Sequence, residues 1–431
     1  MPSLAADTHR VSRLAGTLPP DCRSDLRRLR TFIHSAVGLQ PPAEPVSADS
    51  FREVLLTGAT GFVGRVLLVE LLRRNPSLIV HCLVRAADKE EGFARVRQAL
   101  EVAELWEDAF AERVRIIPGC LNSGSFGLSE EAFADLCTQI DAVYHSGADT
   151  SLALSYQGTR RTNVLSMRSV LALCLRKRYK YLFLMSTLSI FPEYLHFFAG
   201  EYAGRHIGHQ SHPDLTLMKR AFPLGSLGYP WSKLVCEQAV QAANDAGVPV
   251  AIFRIPVMIR SSTGFTRWDD PESRLFAAMT MTGKAPRGLL TQSDHAAVDT
   301  AREICAAISM NPDRRYTIYH CCDSESPSAG FEMEDFGIYF ERVPYQSFKR
   351  ACGQLGKDSP LHGLWPLPDR LMSYWLKGNR DNTHLPVSVR SVVEDCPFPV
   401  RWPPKLVTYA RSNNWRLRHA DIWPYRLRPV V

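Results

Sequence analysis

The sequence has no long apolar run, and this absence limits the kinds of protein that it can encode. A helix that spans a membrane needs about 18 or more consecutive apolar residues, and the 431 residues contain no such run. The segment from Met1 to Asp21 also lacks the apolar centre of a signal peptide. We therefore expect a cytoplasmic protein without a membrane span.

The sequence also lacks the cysteine spacing of a metal site or a disulfide framework; its two adjacent cysteines, Cys321 and Cys322, lie at the end of an apparent strand. The eleven cysteines are scattered and include no C-x-x-C pair, whereas zinc sites and disulfide frameworks use closely spaced or paired cysteines. His206, His209 and His212 have a spacing that suits a metal, but this spacing alone does not favour a metal site. We expect reduced thiols in the core and no metal.

The charge is unbalanced towards basic residues, with a formal net charge of +7. Basic clusters lie at Arg160-Arg161, at Arg176-Lys177-Arg178 and near the C-terminus. Such clusters are usually solvated faces, but they can attract a polyanion, an acidic protein or a phosphorylated ligand. No nucleic-acid-binding motif accompanies them, so nucleic acid is a weak candidate.

One stretch, residues 54–64, organises the sequence. An apolar run predicts a buried strand, three glycines follow with the spacing Gly-x-x-Gly-x-x-Gly, and a helical pattern continues over residues 65–74. A strand, a tight glycine turn and a helix N-terminus together are typical of a site for a dinucleotide pyrophosphate. The residues expected to contact the cofactor here are Thr57, Gly58, Thr60, Gly61, Phe62, Val63, Gly64 and Arg65.

The end of the second predicted strand, residues 78–84, indicates which dinucleotide binds. An NAD site usually has Asp or Glu about 20 residues beyond the glycines, where it accepts hydrogen bonds from the ribose. Here Arg85 follows the strand, and an arginine pairs well with a 2′-phosphate. Arg65 could reach the same phosphate. The alternative is that both arginines are surface residues; we favour NADPH.

Strand-like and helix-like segments alternate beyond this point, with strands predicted at residues 114–117, 140–148, 181–185 and 248–255. This alternation predicts an α/β fold with a Rossmann-type doubly wound parallel sheet. The fourth strand ends in Gly147 and Ala148, small residues that would let a cofactor lie against the sheet. Asn163, which opens the next helix, is a further cofactor-binding candidate.

A helix predicted over residues 228–246 contains the candidate catalytic pair. Tyr229 and Lys233 are four residues apart, so both project from one face. A phenol, with an ordinary pKa of about 10, is a poor proton donor near neutrality unless a cation lies beside it. Lys233 supplies that cation and could also hold the nicotinamide ribose. Thr187, at the end of the preceding strand, would orient the reacting oxygen.

The domain organisation follows from these segments. We predict an N-terminal arm and linker over residues 1–50, with one amphipathic helix at 23–37, and a cofactor-binding domain over 51–260. About 40 residues separate Thr187 from Tyr229, too many for a simple loop, and we interpret residues 192–227 as a substrate-covering insertion. Residues 261–431 are expected to form a smaller, mainly helical substrate lobe, apart from a strand near 316–321 that returns to the sheet.

With these features the chain resembles the extended short-chain dehydrogenases/reductases. More narrowly, it resembles the thioester reductase domains that end nonribosomal peptide synthetases, polyketide synthases and carboxylic acid reductases. The resemblance covers about residues 54–348. Its motifs are the glycine stretch from Thr57 to Gly64, Leu83-Val84-Arg85-Ala86, Gly127-Leu128-Ser129, His145-Ser146-Gly147-Ala148, Asn163-Val164, Ser186-Thr187, Gly228-Tyr229, Ser232-Lys233, Phe253-Arg254, Val298-Asp299 and Val343-Pro344-Tyr345.

The chain departs from this family's pattern at three places. The usual Gly-Asp-Leu is Gly119-Cys120-Leu121, so a carboxylate expected near the adenine is missing. The usual Asn-Val-x-Gly-Thr is Asn-Val-Leu-Ser-Met from Asn163, and the usual Arg-Pro-Gly is Arg254-Ile255-Pro256. No adenylation or carrier module accompanies the reductase pattern, so we expect a free-standing reductase or a domain excised from a synthetase.

The resemblance implies an activity. An acyl or peptidyl thioester on the phosphopantetheine arm of a carrier protein would be reduced by NADPH to an aldehyde, and a second cycle could give an alcohol. In this scheme Tyr229 protonates the oxygen, Lys233 supports it and Thr187 holds the oxyanion, in a protein expected to be monomeric. The alternatives are a dehydrogenase for a sugar, a steroid or an acyl-CoA, and a non-catalytic regulator that senses NADP.

Overall fold

The structure is a computed structural model that describes residues 18–39, 43–151, 153–192, 207–208, 211–225, 227–259, 271–287, 295–321, 340–362, 388 and 390–397. Parts of the predicted insertion, including His206 and His209, lie outside these residues. The same holds for most of the predicted lobe beyond residue 362, including the C-terminal basic cluster.

Seven parallel strands form one sheet, as the alternating sequence pattern predicts. They are β1 (Glu53–Thr57), β2 (Ile79–Val84), β3 (Val114–Pro118), β4 (Ala142–His145), β5 (Tyr181–Thr187), β6 (Val250–Ile255) and β10 (Ile318–His320). Their spatial order is β10-β6-β5-β4-β1-β2-β3. The chain moves outward from β1 to β3 and then crosses back to β4, so the strand order reverses between β1 and β4, where Thr57 lies opposite His145. Ligands of such sheets bind at this reversal, beyond the carboxyl ends of the strands.

Helices flank the sheet. They are α1 (Pro20–Leu39), α2 (Phe62–Arg74), α3 (Lys89–Glu101), α4 (Glu130–Gln139), α5 (Tyr156–Arg160), α6 (Met167–Leu175), α7 (Leu215–Ala221), α8 (Gly228–Asp245), α9 (Pro271–Thr282), α10 (Val298–Ser309), α11 (Tyr345–Gln354) and α12 (Arg390–Asp395). Side chains of Asp88, Ser129, Ser155 and Asp214 cap the N-termini of α3, α4, α5 and α7 by accepting backbone N–H groups, which fixes where these helices begin. None of the helices described is both long and apolar enough to cross a membrane.

The predicted N-terminal helix exists, but it does not extend away from the domain as an arm. α1 packs against α6 and α8, and its buried residues recur at helical spacing: Cys22, Asp25, Leu26, Leu29 and Ile33, with Leu18 buried just before the helix begins. The apolar members of this set belong to the same hydrophobic core as the sheet. An apolar stripe of this kind must be covered, because exposing it to water is unfavourable.

A second, smaller core lies in the predicted substrate lobe. Helices α9 and α11 pack there with the short parallel pair β8 (Lys284–Pro286) and β11 (Glu341–Val343). Its buried members include Leu275, Met279, Val343 and Phe348. Another short parallel pair is formed by β7 (Val257–Ile259) and β9 (His295–Ala297).

Parts of residues 261–431 pack on the sheet domain instead. The predicted returning strand is β10, which pairs with β6. The short helix α12 also packs beside β10. Its Asp395 side chain is buried and accepts hydrogen bonds from the backbone of Arg315 and Tyr316 and from the Tyr319 hydroxyl, at 2.7, 2.9 and 2.9 Å. These bonds tie α12 to the segment that enters β10.

Candidate active site

The three glycines form the turn between β1 and α2. Gly58 has a φ of +76°, a conformation that favours glycine, and its carbonyl accepts the N–H of Gly61 at 2.9 Å. A Cβ on Gly64 would lie 2.0 Å from the Gly58 carbonyl oxygen. Only glycine therefore lets the first turn of α2 pack onto this loop. The N-terminus of that turn lies at the end of β1, a geometry that suits a pyrophosphate.

The end of β4 meets this turn at the point where the strand order reverses. A Cβ on Gly58 would stand 2.7 Å from the Cα of Gly147, so the two backbones are in direct contact. The Thr57 hydroxyl accepts the N–H of Gly147 at 3.0 Å and lies 2.9 Å from Nδ1 of His145. Ala148 follows, half-buried. Thr57 therefore joins the ends of β1 and β4 below the predicted cofactor position.

His145 is kept neutral by its surroundings. Burial, and then the positive charge of Lys233, lower the pKa of His145 to about 3. A neutral ring can accept the hydroxyl proton of Thr57 at Nδ1, while the Thr57 oxygen accepts from Gly147. Among the described residues, Lys233 on α8 is thus the one charged side chain that contributes to the lowered pKa of His145 at the end of β4.

A cleft of about 270 Å³ lies beside the glycine turn, between α2 and α3. It is lined by Thr60, Arg65, Arg95, Gln98, Ala99 and Val102. The Arg65 guanidinium donates to the carbonyls of Thr60 and Ala99, at 2.7 and 3.1 Å, so it links the turn to α3. Arg95 donates to the carbonyl of Arg85, whose own side chain is exposed. The structure thus places Arg95, which the sequence did not indicate, beside Arg65 in the cleft lining, while Arg85 contributes only its backbone carbonyl to this contact.

Two other residues that the sequence predicts to contact the cofactor lie at the start of α2. Phe62 and Val63 are the first two residues of α2 and are half-buried. Cys120, which stands where the resembled family has aspartate, is half-exposed just after β3.

Asn163 lies in a π-helical turn, Arg161–Leu165, between α5 and α6. Such turns often occur at functional sites. The buried Asn163 amide accepts the N–H of Asp149 at 2.7 Å and donates to the Asp149 carbonyl and to the Ser232 hydroxyl, both at 2.9 Å. Asn163 therefore joins the loop after β4 to the helix of the catalytic pair.

Tyr229 and Lys233 lie in the first two turns of α8, as predicted. Gly228, the first residue of the helix, contacts the chain before α5 so closely that a Cβ would lie 2.1 Å from the backbone N of Tyr156. Thr187 is the last residue of β5, a strand against which α8 packs, and its hydroxyl accepts the N–H of Ser189 at 3.1 Å.

Lys233 is buried, with 3% of its surface exposed. Burial lowers its pKa, whereas Cys236 and Glu237 act in the opposite direction. A lysine with a lowered pKa in a buried position is a common feature of active sites, where the group is tuned for its task. Glu237, one turn further along α8, is part of a buried network. It accepts a hydrogen bond from Ser186 at 2.5 Å and forms an ion pair with Arg254.

Arg95 and Glu237 are two residues near the site that the sequence did not indicate. Arg95 could have been suggested by its position in the second turn of α3, but nothing in the sequence shows that its guanidinium faces the glycine turn. The described residues contain no group of three or more side chains suited to hold a metal ion.

Comparison with known proteins relates this geometry to a family. The profile of the family described as male sterility protein, an NAD-binding family, matches residues 56–308. The crystal structure of the terminal R domain from the myxalamid PKS-NRPS biosynthetic pathway superposes with a TM-score of 0.75 at 27% identity, covering 93% of this chain and 99% of that one. The reductase (R) domain of a nonribosomal peptide synthetase from Mycobacterium tuberculosis, at 21% identity, has a TM-score of 0.63 over 84% of this chain and 93% of that chain, and shares the fold.

Two curated relatives are much longer than this chain. A linear gramicidin synthase of Brevibacillus parabrevis is 31% identical over 76% of this chain. L-2-aminoadipate reductase of Saccharomyces cerevisiae is 28% identical over 72% of it. The chain spans 6% of the length of the first and 23% of the second.

Proposed function

Because the chain belongs to the male sterility protein family of NAD-binding domains, we propose that it is an NADPH-dependent thioester reductase. Its substrate would be an acyl or peptidyl chain held as a thioester on the phosphopantetheine arm of a carrier protein. The product would be an aldehyde, or an alcohol after a second cycle. The similarity to the myxalamid terminal R domain over almost its whole length supports this proposal.

The dinucleotide fits the residues at the strand reversal. Gly58 and Gly147 are in direct contact. Because both residues are glycines, neither projects a side chain into the space above the ends of β1 and β4. The backbone N–H groups at the start of α2 would face the pyrophosphate. Val63 and Gly64 would supply contacts there beside Phe62, and Asn163 and Lys233 would lie towards the nicotinamide ribose.

Preference for NADPH over NADH is supported by two arginines that line one cleft. Arg65 and Arg95 line it, and Arg85 is joined to Arg95 through its own carbonyl. Among the described residues, no acidic side chain lines this cleft, so a 2′-phosphate would meet only positive charge there. Arginine suits this role because its planar guanidinium is always charged and binds phosphate oxygens in pairs.

The reaction follows from the catalytic helix. NADPH, when bound, supplies a hydride to the thioester carbonyl carbon. Tyr229 gives its phenolic proton to the carbonyl oxygen, which becomes the hydroxyl of a thiohemiacetal. The Lys233 ammonium lowers the cost of the phenolate that is left, and Thr187 donates a hydrogen bond to the reacting oxygen. Breakage of the carbon–sulfur bond then releases the aldehyde and the carrier thiol.

The observation that supports the proposal most directly is the position of Lys233. The amine is buried within one helical turn of Tyr229 and close enough to influence His145 at the end of β4. A buried amine costs free energy unless it is used or paired, and Glu237, the acidic residue one turn further along α8, forms its ion pair with Arg254.

The remaining assignments belong to the same proposal. We infer a cytoplasmic monomer, with residues 51–260 as the cofactor domain, the insertion at 192–227 as a cover for the substrate, and the small core around α9 and α11 as the substrate lobe. The partner is an acidic carrier protein.

One assay tests the function. NADPH oxidation is followed with an acyl-carrier thioester, an acyl-CoA and a free aldehyde. In the reverse direction, reduction of NADP⁺ is followed with sugar and steroid alcohols. Turnover with the carrier thioester at a higher kcat/KM than with acyl-CoA is the expected result. A higher kcat/KM for acyl-CoA or for an alcohol would show that the carrier-bound thioester is not the substrate. Tight NADPH binding without any turnover would favour a regulator.

A further inference from the structure

We propose that Asp25, on the N-terminal helix α1, is a positioning residue of the active site. The inference rests on the proposed function, because the rate that it affects is that of thioester reduction. Asp25 lies outside residues 56–308, the part of the chain that matches the family profile, so this role is not part of the motifs discussed above.

Asp25 is a carboxylate on an otherwise apolar helix face, and only 2% of its surface is exposed. It accepts a hydrogen bond from the Tyr156 hydroxyl at 2.9 Å and two from the Arg160 guanidinium, both at 2.6 Å. Burial raises the pKa of Tyr156, so this phenol remains a donor. The hydrogen bond to Asp25 raises the pKa of Arg160. A buried carboxylate is tolerated when it is paired and hydrogen-bonded in this way.

The two partners of Asp25 are the first and last residues of the short helix α5. One carboxylate therefore holds both ends of this helix against α1. Five residues give at most one complete turn with little stability of its own, so α5 depends on such outside contacts for its position.

The beginning of α5 contacts the catalytic helix. The Leu154 carbonyl accepts the N–H of Gly228 at 2.9 Å, and the N–H of Tyr156 donates to the Leu224 carbonyl at 2.8 Å. The absence of a side chain on Gly228 lets the two backbones touch. A shift of Tyr156 would therefore move Gly228, and with it the adjoining Tyr229.

The end of α5 leads to a second contact with the catalytic helix. The π-helical turn that contains Asn163 follows Arg160 directly, and the Asn163 amide bonds to Ser232, the neighbour of Lys233. Asp25 thus supports both places where α5 and its continuation touch α8, one beside each member of the catalytic pair.

The test compares two substitutions on the same helix pair. Asp25→Asn keeps the size of the side chain but removes the charge that binds Arg160. Asp21→Asn is the matched control, because the Asp21 carboxylate also accepts a hydrogen bond from α5, from Gln157 at 2.8 Å, but at an exposed position. Asp25→Asn should lower kcat about 10- to 100-fold, since a misplacement of about 1 Å can cost this much. KM for the thioester should stay within about twofold. Asp21→Asn should retain the unmutated values.

Amide hydrogen exchange gives a readout that does not need turnover. Exchange over residues 154–165 and 227–233 should be faster in Asp25→Asn than in Asp21→Asn, while the glycine turn at 58–64 remains equally protected. If Asp25→Asn does not fold, Tyr156→Phe removes one of the three hydrogen bonds and should show the same changes at smaller size.

Two outcomes would distinguish a failure of the positioning role of Asp25 from a failure of the proposed function. Normal kcat in folded Asp25→Asn, with unchanged exchange at 227–233, would show that the ion pair contributes only stability and would overturn the inference. No turnover of any thioester by the unmutated protein would overturn the proposed function instead. In that case faster exchange at 227–233 in Asp25→Asn would still support the positioning role.

Discussion

Arg254 on β6 and Glu237 on α8 form an ion pair that is almost completely buried, with Nη2 2.8 Å and Nε 3.1 Å from the two carboxylate oxygens. The pair joins two elements that approach the active site. Glu237 accepts from Ser186, the neighbour of Thr187, and Arg254 donates to the Ser211 carbonyl in the predicted insertion at 2.6 Å. One network therefore links the end of β5, the helix α8 and part of the predicted insertion.

Removing one member of this pair should be strongly destabilising, because the other charge would remain buried without a partner. Arg254→Met is expected to lower the free energy of unfolding by about 3–5 kcal/mol, measured by urea denaturation. Arg97→Met, which breaks an exposed ion pair with Glu101 on α3, is the control and should have little effect. A loss no larger than that of the control would mean that Glu237 finds another partner in the variant.

The proposed preference for NADPH can be tested at the arginines. The unmutated protein should bind NADPH at least about tenfold more tightly than NADH, a difference of about 1.4 kcal/mol. Arg85→Ala and Arg95→Ala should each remove most of this difference while changing NADH affinity little, as measured by fluorescence titration. Equal affinities for the two cofactors in the unmutated protein would contradict the assignment of this cleft to the 2′-phosphate.

Two substitutions test the proposed roles of Tyr229 and Lys233 one at a time. Tyr229→Phe removes the proton donor but keeps the ring, so kcat should fall by roughly 10²–10⁴ while the Kd for NADPH stays near normal. Lys233→Ala should weaken both, because the amine is proposed to serve the phenol and the ribose. Full turnover by Tyr229→Phe would show that the phenol is not the acid.

The local parts of this site could be predicted from the sequence. The spacing of the glycines and of Tyr229 and Lys233 follows from helix and turn geometry, and both features lie within single short stretches. The alternation of strands and helices along the chain is also a local pattern, and it predicts a parallel sheet. Gly58 and Gly64 show why these residue types recur, since neither position has room for a Cβ.

The contacts between distant segments could not be predicted in this way. Asp25 and Arg160 are 135 residues apart, and nothing in the amphipathic pattern of α1 shows that its one buried carboxylate meets an arginine. The same applies to Arg95, whose side chain reaches back to the glycine turn region. The N-terminal segment was predicted as an arm because its helix could be identified from the sequence but the surface that it covers could not.

The neutral state of His145 makes the stability of the fold depend on pH. Its pKa is lowered to about 3 in the folded protein, whereas an unfolded histidine takes up a proton near pH 6.5. The unfolded state therefore binds the additional proton first, and the contribution of His145 to stability is present above about pH 6.5 and is lost as the pH falls towards 3. Between these values the loss approaches about 1.4 kcal/mol for each pH unit.

His145→Asn should abolish this component, because an amide does not titrate and can still bond to Thr57. Urea denaturation between pH 7.5 and pH 5 should show a steeper decline for the unmutated protein than for the variant. Parallel pH profiles for the two proteins would mean that His145 is protonated in the fold, which would contradict its assigned role as acceptor of the Thr57 proton.

The last prediction concerns the carrier protein. Four arginines of the N-terminal segment, Arg23, Arg27, Arg28 and Arg30, are candidates for a basic docking surface, and the structure divides them. Arg23 donates to the Leu18 carbonyl, and burial lowers the pKa of Arg30, so both are engaged in the packing of α1. Arg27 and Arg28 are exposed and are the two whose charge could attract an acidic partner.

Charge reversal at Arg27 and Arg28 should therefore reduce kcat/KM for the carrier-bound thioester several-fold and leave kcat/KM for a short thioester without the carrier unchanged. Added salt should have the same selective effect on the unmutated protein, because exposed charges are screened over a Debye length of about 8–10 Å and act mainly on the rate of encounter. Charge reversal at Arg73 and Arg390, two exposed arginines on other helices, is the control. If both double variants respond alike, or if salt affects both substrates equally, the net charge acts only as a solvated surface and α1 does not dock the carrier.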